Sequence, residues 1–530
     1  MNTDKKLPST LLESGASRRR KPETTIDDLP DELLLEIITL AGYYGPYGYP
    51  DSYCVYVSRR WCRLALPLLY YRYSFKLSPS RFLRTIVMAP ELGRYVKEIT
   101  VDLNVEKDKG KGQNILASKD YQDLVTRAKS LQIPNEDEFL RKLSQNDREA
   151  LLVLILSQTP NIRVFEAQAT FHIPWDFPDG QLEQPLWLEL ISEIAEGTSV
   201  GRIHHFHTLQ RIKVDLRYPV AVGQLSSLFR LPSLRTIEIR YAFVVDGESS
   251  WKYAEKSSSV ENLTYTVSAI HHDALVRMIL ACKALKSFTY YHDEAFQILL
   301  VPLNVSPVSR ALRVHSDSLE KICIRHEFDE LACEFIGLLG SFQDFRRLKD
   351  LDVNFSLLVD ENMPGGLQSI LNILPPNLET LTLFLNFVNG PDCIRLLREL
   401  AVSILREQIN ASPKSLPCLR KVCVNGIKRR YRDRLDLGPL AQAFDRAGIE
   451  FKHKENDIPG AEQYAATFDP MANYGYNEEG YDEYYCNEYY DDEVGDDSYG
   501  DFNDEDEVDE TNEAEYGEMA QDLNKLLQYK

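Results

Sequence analysis

The chain has 530 residues, with 60 Lys and Arg against 81 Asp and Glu, a formal net charge of −21. The imbalance is local: residues 455–530 hold 25 acids and two lysines (Lys525 and Lys530), a net of −23, which leaves residues 1–454 at +2. A near-neutral body lacks the clustered Lys and Arg that phosphate contacts need, so no nucleic-acid partner is expected. Nor does any apolar run approach the roughly 20 residues of a spanning helix, and the polar N-terminus (Asn2, Asp4, Lys5, Lys6) has no apolar signal core. Neither a membrane partner nor export is therefore expected. Nine cysteines, scattered from Cys54 to Cys486, suit reduced thiols of the cytoplasm or nucleus better than a disulfide framework.

Residues 1–25 are rich in Ser, Thr, Lys and Arg without apolar periodicity and read as a disordered basic arm. Arg18-Arg19-Arg20-Lys21-Pro22 within it reads as part of that arm, with a nuclear address as the alternative. Residues 26–75 read as a small helical module. Pro30 suits the first turn of a helix, where its missing N–H has no partner to lose. Asp31 and Glu32 complement the positive end of the helix dipole, and Leu33, Leu34, Ile37, Ile38 and Ala41 recur at helical spacing. After a loop from Gly42 to Pro50, Asp51 or Ser52 would cap a second helix carrying Tyr53, Val57, Trp61 and Leu64, and Pro67 would open a short third. Three helices this short bury only a small core, so part of their apolar surface is expected to meet a partner.

Residues 76–454 alternate short β-like runs with amphipathic helical ones. One template recurs: Leu209-x-x-Ile212-x-Val214, Leu234-x-x-Ile237-x-Ile239, Val260-x-x-Leu263-x-Tyr265 and Leu285-x-x-Phe288-x-Tyr290. Four more follow: Leu319-x-x-Ile322-x-Ile324, Leu348-x-x-Leu351-x-Val353, Leu378-x-x-Leu381-x-Leu383 and Leu419-x-x-Val422-x-Val424. Their first positions step by 25, 26, 25, 34, 29, 30 and 41 residues, and weaker copies precede them at Val96-x-x-Ile99-x-Val101 and Ile162-x-x-Phe165. The alternation that ends each template predicts a strand with one buried face. Runs such as 273–280, and Leu331 with Phe335, Ile336, Leu338 and Leu339, predict helices between strands. Residues 104–158, with a loop at Lys107–Gly112, read as a helical insertion.

One strand and one helix cannot bury their own apolar face, so such units must stack, with a parallel sheet lining the inside of a curve. The fold class this predicts for the region is an α/β leucine-rich-repeat solenoid, a horseshoe; ordinary doubly wound α/β alternation is the competing architecture. The residues lining the concave sheet would be Lys213, Asp215, Glu238, Arg240, Thr289, Tyr291, Arg325, Asp352, Asn354, Phe384 and Asn425. Their mix of charge and aromatic rings fits protein recognition. Residues 455–530 are acidic and Tyr-rich and cannot bury enough surface to offset their ordering entropy, so they read as a disordered tail. That tail is foremost a solubilising extension. A clamp for basic partners, or a set of tyrosine motifs such as Tyr484, Tyr485, Tyr489 and Tyr490, are its other readings.

Signals for chemistry are weak. His204-His205-x-His207 has no Cys or carboxylate ligand motif beside it. His271-His272-Asp273 reads as a helix start, and His326-Glu327 lacks the second His of a zinc-protease helix. Cys418 and Cys423 have no second pair. Gly110-x-Gly112 lacks the third Gly of a phosphate cradle. No catalytic, metal or cofactor site is expected, and the protein is not expected to be an enzyme.

Leu29-Pro30-x-Glu32-Leu33-Leu34-x-x-Ile37-Ile38, followed by Val57-Ser58-Arg59-Arg60-Trp61, resembles the F-box, in which L-P-x-E-L-L-x-x-I-L precedes a short helix with V-S-(K/R)-x-W. The resemblance covers about 45 of the 530 residues, and an F-box ahead of leucine-rich repeats is a known family layout. The loop from Gly42 to Pro50 is longer than the family's usual connection. The resemblance implies a three-helix F-box and a substrate adaptor of an SCF-type ubiquitin ligase. Its module would dock on a Skp-type linker, and through it a cullin scaffold, while its repeats hold a protein substrate. Carried onto this chain, the docking residues would be Leu29, Pro30, Leu33, Ile37, Ile38, Val57 and Trp61, with Leu34 and Leu64 in the module's own core. The alternative is a leucine-rich-repeat interaction scaffold outside any ligase, nuclear, with an acidic tail for basic partners.

Overall fold

The computed structural model describes residues 25–43, 53–74, 79–103, 118–133, 135–145, 147–168, 185–197, 203–216, 220–245, 251, 253–292, 303–326, 335–358, 373–384, 416–425 and 438–454. The basic arm up to 24, the loop at 107–112 and the acidic tail lie outside them. The chain divides into two compact units, Met1–Arg72 and Tyr73–Lys530.

In the first unit a 3-10 turn (Ile26–Asp28) leads into α1 (Asp31–Tyr43), followed by α2 (Cys54–Val57) and α3 (Arg59–Leu69). Thr25 and Asp28 close the entry: the Thr25 N–H donates to Asp28 Oδ2 at 2.7 Å, and the Asp28 N–H returns to the Thr25 carbonyl at 3.0 Å. Asp31 and Glu32 occupy the first turn of α1, as its dipole favours. The expected second helix is interrupted. Ser58 is fully extended, and its Oγ accepts the Trp61 N–H at 3.2 Å, so a serine N-cap starts α3 afresh. Pro67 does not open a third helix but sits inside α3. There it costs a single bond, to the Arg63 carbonyl, just before the helix ends. The Tyr70 N–H then reaches back to the Leu66 carbonyl at 3.1 Å. Both α1 and α2 pack on α3. Leu34, Ile38, Val55, Trp61, Ala65 and Leu66 are buried, and Leu64 is half-buried.

The second unit is built on strands. They are β1 (Arg72–Ser74), β2 (Glu98–Asp102), β3 (Val164–Gln168), β4 (Arg211–Asp215), β5 (Val220–Ala221), β6 (Thr236–Arg240) and β7 (Phe243–Val245). After them come β8 (Asn262–Ile270), β9 (Ser287–His292), β10 (Lys321–His326), β11 (Asp350–Asn354), β12 (Thr380–Phe384), β13 (Lys421–Asn425) and β14 (Glu450–Lys454). The main path runs β1-β2-β3-β4-β6-β8-β9-β10-β11-β12-β13-β14, each strand beside the next in the chain, while β5 and β7 form a side ladder on β8. Pairing from β2 to β14 is parallel.

The template positions explain this order. Ile99, Phe165, Ile212, Ile237, Leu263, Phe288, Ile322, Leu351, Leu381 and Val422 stand in one register across the sheet. All are fully buried, as are the last template positions from Val101 to Val424. Each such side chain contributes about 1.5–3 kcal/mol by leaving water, and it does so only when the neighbouring repeat covers it.

The polar positions tie the turns together. The residue before the first template position bonds the preceding turn: Asn161 Nδ2 to the Arg94 carbonyl (2.7 Å), Thr208 Oγ1 to Ile162 (2.8 Å), Ser318 Oγ to Leu285 (2.8 Å) and Asn377 Nδ2 to Arg346 (2.7 Å). The residue after it alternates in charge along successive repeats: Arg235, Glu261, Lys286, Glu320, Lys349, Glu379, Arg420. Lys286 pairs with Glu261 at 2.7 Å and Lys349 with Glu379 at 3.2 Å. Opposite charges on adjacent strands favour the native stacking order over a slipped one.

Helices fill the connections: α4 (Pro79–Met88), α5 (Pro90–Gly93), α6 (Ser118–Leu131), α7 (Glu136–Ser144), α8 (Arg148–Gln158), α9 (Leu186–Glu196), α10 (Val222–Ser226), α11 (His272–Ala281), α12 (Val305–Arg313) and α13 (Gly438–Arg446). The helical stretch expected at 104–158 is α6, α7 and α8. Asp147 caps α8 by accepting from the Glu149 and Ala150 N–H groups (2.8 and 3.2 Å). Residues Ala150 to Gln158 are all buried, with α4 and α9 packed against the helix. A Cβ at Gly93 would run into the Gln158 carbonyl.

One expected helix does not form over its described part; Leu331 lies outside the described residues. Residues 335–340 form no helix: Gly337 and Gly340 have φ of +84° and +72°. Ile336 instead exchanges backbone bonds with Leu303 and Val305, at 3.0 Å each. Glycines in the left-handed region outweighed an apolar period. Val267, at the irregularity where β8 shifts register, has φ +53°, an uncommon conformation for a β-branched residue. The Ser268 hydroxyl beside it accepts the Ala242 N–H at 3.0 Å.

Candidate partner-binding surfaces

In the first unit α1 carries two apolar stripes. Leu34 and Ile38 face inward and are fully buried. Pro30, Leu33, Ile37 and Leu40, one turn apart on an adjoining face, are exposed or half-buried, with Leu33 at 45 % and Leu40 at 51 %. Beside α1 in sequence, Leu29 is half-buried; Val57, Tyr53 and Tyr56 at α2 are exposed, Val57 at 58 %. Of the expected docking residues, Leu29, Pro30, Leu33, Ile37 and Val57 are thus open to a partner. Ile38 and Trp61 are buried, and their part is to hold the helices together. Leu40, Tyr53 and Tyr56 were not anticipated, although Leu40 stands seven residues after Leu33, where helical spacing places it on the same face.

An ion-pair cluster fixes this edge. Asp31 Oδ1 accepts from Arg60 Nε at 2.7 Å and Oδ2 from Arg63 Nη2 at 2.7 Å, while Arg60 Nη2 donates to the Leu29 carbonyl at 2.6 Å.

In the second unit the sheet face turned away from the template residues changes character along the repeats. On β4 and β6, Lys213, Asp215, Glu238 and Arg240 are all half-buried. Lys213 lies opposite Glu238, Arg240 stands 3.9 Å from Asp215, and Arg211 stands 4.0 Å from Glu238. The Arg240 guanidinium also lies 5.1 Å from the centre of the Tyr241 ring. This part is a half-buried lattice of alternating charge.

From β9 to β12 the same face is largely closed. Thr289, Asn354 and Phe384 are buried, as is Cys323, so these three candidates do not stand open as expected. Arg325 explains the closure. Its fork holds Asp352 through both carboxylate oxygens, and its guanidinium carbon lies 5.4 Å from the Tyr291 ring centre and 5.6 Å from that of Phe384. Burial pushes the Tyr291 phenol and the Cys323 thiol well above their ordinary ranges, so both stay neutral. The Asn354 amide accepts the His326 N–H at 2.8 Å, bracing β10 to β11. Asn425, half-buried on β13, completes the candidate set.

Behind this cluster sit two imidazoles. His292 Nδ1 lies 2.8 Å from the Tyr290 hydroxyl, and the His292 and His326 ring centres are 5.7 Å apart. Burial, with the neighbouring His326, lowers His292 to about 3, and burial lowers His326 to about 4.

Two further histidines, His204 and His271, serve local structure. His204 Nε2 bonds the Leu156 carbonyl at 2.7 Å, and burial lowers its pKa to about 4. His271, His272 and Asp273 bring donor atoms within 4.8 Å of one another. However, His271 Nδ1 accepts the Asp273 N–H (3.4 Å) as the cap of α11, and the positive end of that helix opposes a cation. Among the described residues no helix is long and apolar enough to cross a membrane.

Comparison with known families decides the nature of the strand-rich region. Residues 197–438 match the family described as a leucine-rich repeat domain. This stretch is a leucine-rich repeat domain. It spans β4 to β13, the segment that contains the eight regular templates. Its sheet continues on both sides beyond the matched residues, into β2 and β3 before them and β14 after them. The parallel sheet with its connecting helices fits an α/β repeat solenoid, a fold suited to protein interaction. The match does not extend to the helical module, and no curated protein matches the chain.

Proposed function

We propose that this protein is a non-enzymatic substrate adaptor of an SCF-type ubiquitin ligase. Its helical module docks on a Skp-type linker and its leucine-rich repeats hold a protein substrate. The observation that carries the reading is the second apolar stripe of α1. A helix that buries Leu34 and Ile38 while leaving Leu33 and Leu40 about half exposed has more apolar surface than its own module uses. That stripe coincides with the F-box-like motif from Leu29 to Ile38. On the repeats, the half-buried charge lattice of β4 and β6 offers polar complementarity to a protein partner.

The second reading, an interaction scaffold outside any ligase, draws on the family match being confined to the repeats. Proximity labelling in cells separates the two. With Leu29→Ala and Pro30→Ala together, a ligase adaptor retains its labelled neighbours except the linker, and at least one neighbour rises in abundance because it is no longer degraded. If every neighbour keeps its abundance, the scaffold reading holds and the adaptor reading fails.

A further inference from the structure

We infer that Arg60 is a positioning residue for the docking surface, acting through the Leu29–Pro30 backbone; the inference rests on the adaptor reading for its binding consequence only. Its side chain comes from α3, a different element from the stripe it serves. It donates from Nε to Asp31 Oδ1 (2.7 Å) and from Nη2 to the Leu29 carbonyl (2.6 Å), so one guanidinium grips the chain on both sides of Pro30. Arg63 holds the other carboxylate oxygen of Asp31 at 2.7 Å, which fixes the carboxylate that Arg60 uses. Upstream, the Thr25–Asp28 closure and the Leu29 N–H bond to the Ile26 carbonyl (3.2 Å) hold the other end of the segment.

Between the Thr25–Asp28 closure and the first turn of α1, where the Leu34 N–H bonds the Pro30 carbonyl (3.1 Å), the Arg60 grip is the tie that comes from outside the segment. Leu29 is extended (φ −68°, ψ 146°), and Pro30 has no N–H to donate. Pro30 and Leu33 are exposed. A partly exposed apolar segment loses conformational freedom on binding unless it is ordered beforehand, and preorganisation removes that loss. A lysine at position 60 could reach Asp31 or the Leu29 carbonyl, but its single ammonium lacks the fork that spans both.

The test has two arms. In hydrogen exchange of the full chain, Arg60→Ala is expected to speed exchange of the amides of 26–34 while those of α3 keep their protection, with Arg60→Lys in between. Unchanged exchange at 26–34, or loss of protection throughout α3, overturns the clamp. In binding to a purified Skp-type linker, Arg60→Ala is expected to weaken Kd about tenfold, through loss of the ordering that its two hydrogen bonds supply before binding. In the Leu29→Ala/Pro30→Ala background the same substitution is expected to have almost no effect, because its route to the partner is gone. A full tenfold loss there would show direct contact or general unfolding and overturn the inference. A wild-type chain that binds no linker sinks the adaptor reading, and the clamp is then decided by the exchange arm.

Discussion

Acidification should loosen the repeats around β9 to β11 before the rest of the sheet. His292 and His326 are buried at 5 % and 0 % exposure, with pKa values lowered from 6.5 to about 3 and about 4. Both are therefore neutral in the folded protein, while the unfolded chain takes up a proton on each below about pH 6.5. Stability from this pair is complete above pH 6.5, falls as the pH drops below it, and levels off near the folded values. At pH 5 the loss depends mainly on the unfolded value, because both folded values lie well below 5. It comes to about 1.5 pH units at 1.36 kcal/mol each, about 2 kcal/mol per histidine and about 4 for the pair. That is a large part of the roughly 5–15 kcal/mol that holds a typical domain. Hydrogen exchange at pH 7.5 and 5.0, corrected for the intrinsic rate, reads the effect strand by strand. The predicted result is the largest loss of protection in β9, β10 and β11, with a smaller one beside β4, where burial also keeps His204 neutral. Equal protection at the two pH values, or a loss centred on β2 to β6, would refute the reasoning from burial.

Three further outcomes follow from the packing. Leu34→Ala should destabilise the helical module by about 2–4 kcal/mol in thermal unfolding. The adjacent Leu33→Ala should cost under about 0.5 kcal/mol, and the reverse order would mean that the two stripes are assigned the wrong way round. Arg325→Met keeps the stem but leaves Asp352 half-buried without its fork, and should lower chemical stability by about 2–4 kcal/mol; a neutral result would show that the cluster is an adjustable surface rather than a brace. Lys286→Glu puts three like charges in succession at Glu261, position 286 and Glu320, and should cost about 0.5–1 kcal/mol at low salt, less as salt rises. Salt-independent destabilisation would argue against the charge row.

The repeats were legible because their signal is local and repeated. Every template position from Leu209 to Val424 is buried, and its fourth positions stand in one register, since alternation and a stacking requirement leave little freedom. The connections were less so. The run at 335–339 has a helical apolar period, yet positive φ at Gly337 and Gly340 sends it into an extended bridge. The Ser58 break lay in plain view as an N-cap residue three positions before Trp61, but a continuous stripe through Tyr53, Val57 and Trp61 masked it. At the candidate sites, residue type was a good guide to chemistry and a poor one to exposure. Arg325 reads from the sequence as part of an open concave face; its fork and two ring contacts turn it inward, onto Asp352, Tyr291 and Phe384. Trp61 carried the motif and proved to be core. Asp31 and Arg60 come together only through tertiary contact, 29 positions apart, and no local pattern announces that.

On the proposed function, the exposed stripe of α1 is a docking surface for a Skp-type linker. Titration of the purified full-length chain with such a linker tests it most directly. The expected outcome is a one-to-one complex that survives removal of 455–530 and weakens by at least about tenfold when Leu33→Ala and Val57→Ala are combined, two half-exposed apolar side chains at about 1 kcal/mol or more each. Absence of a complex, or equal binding by the double variant, would contradict it.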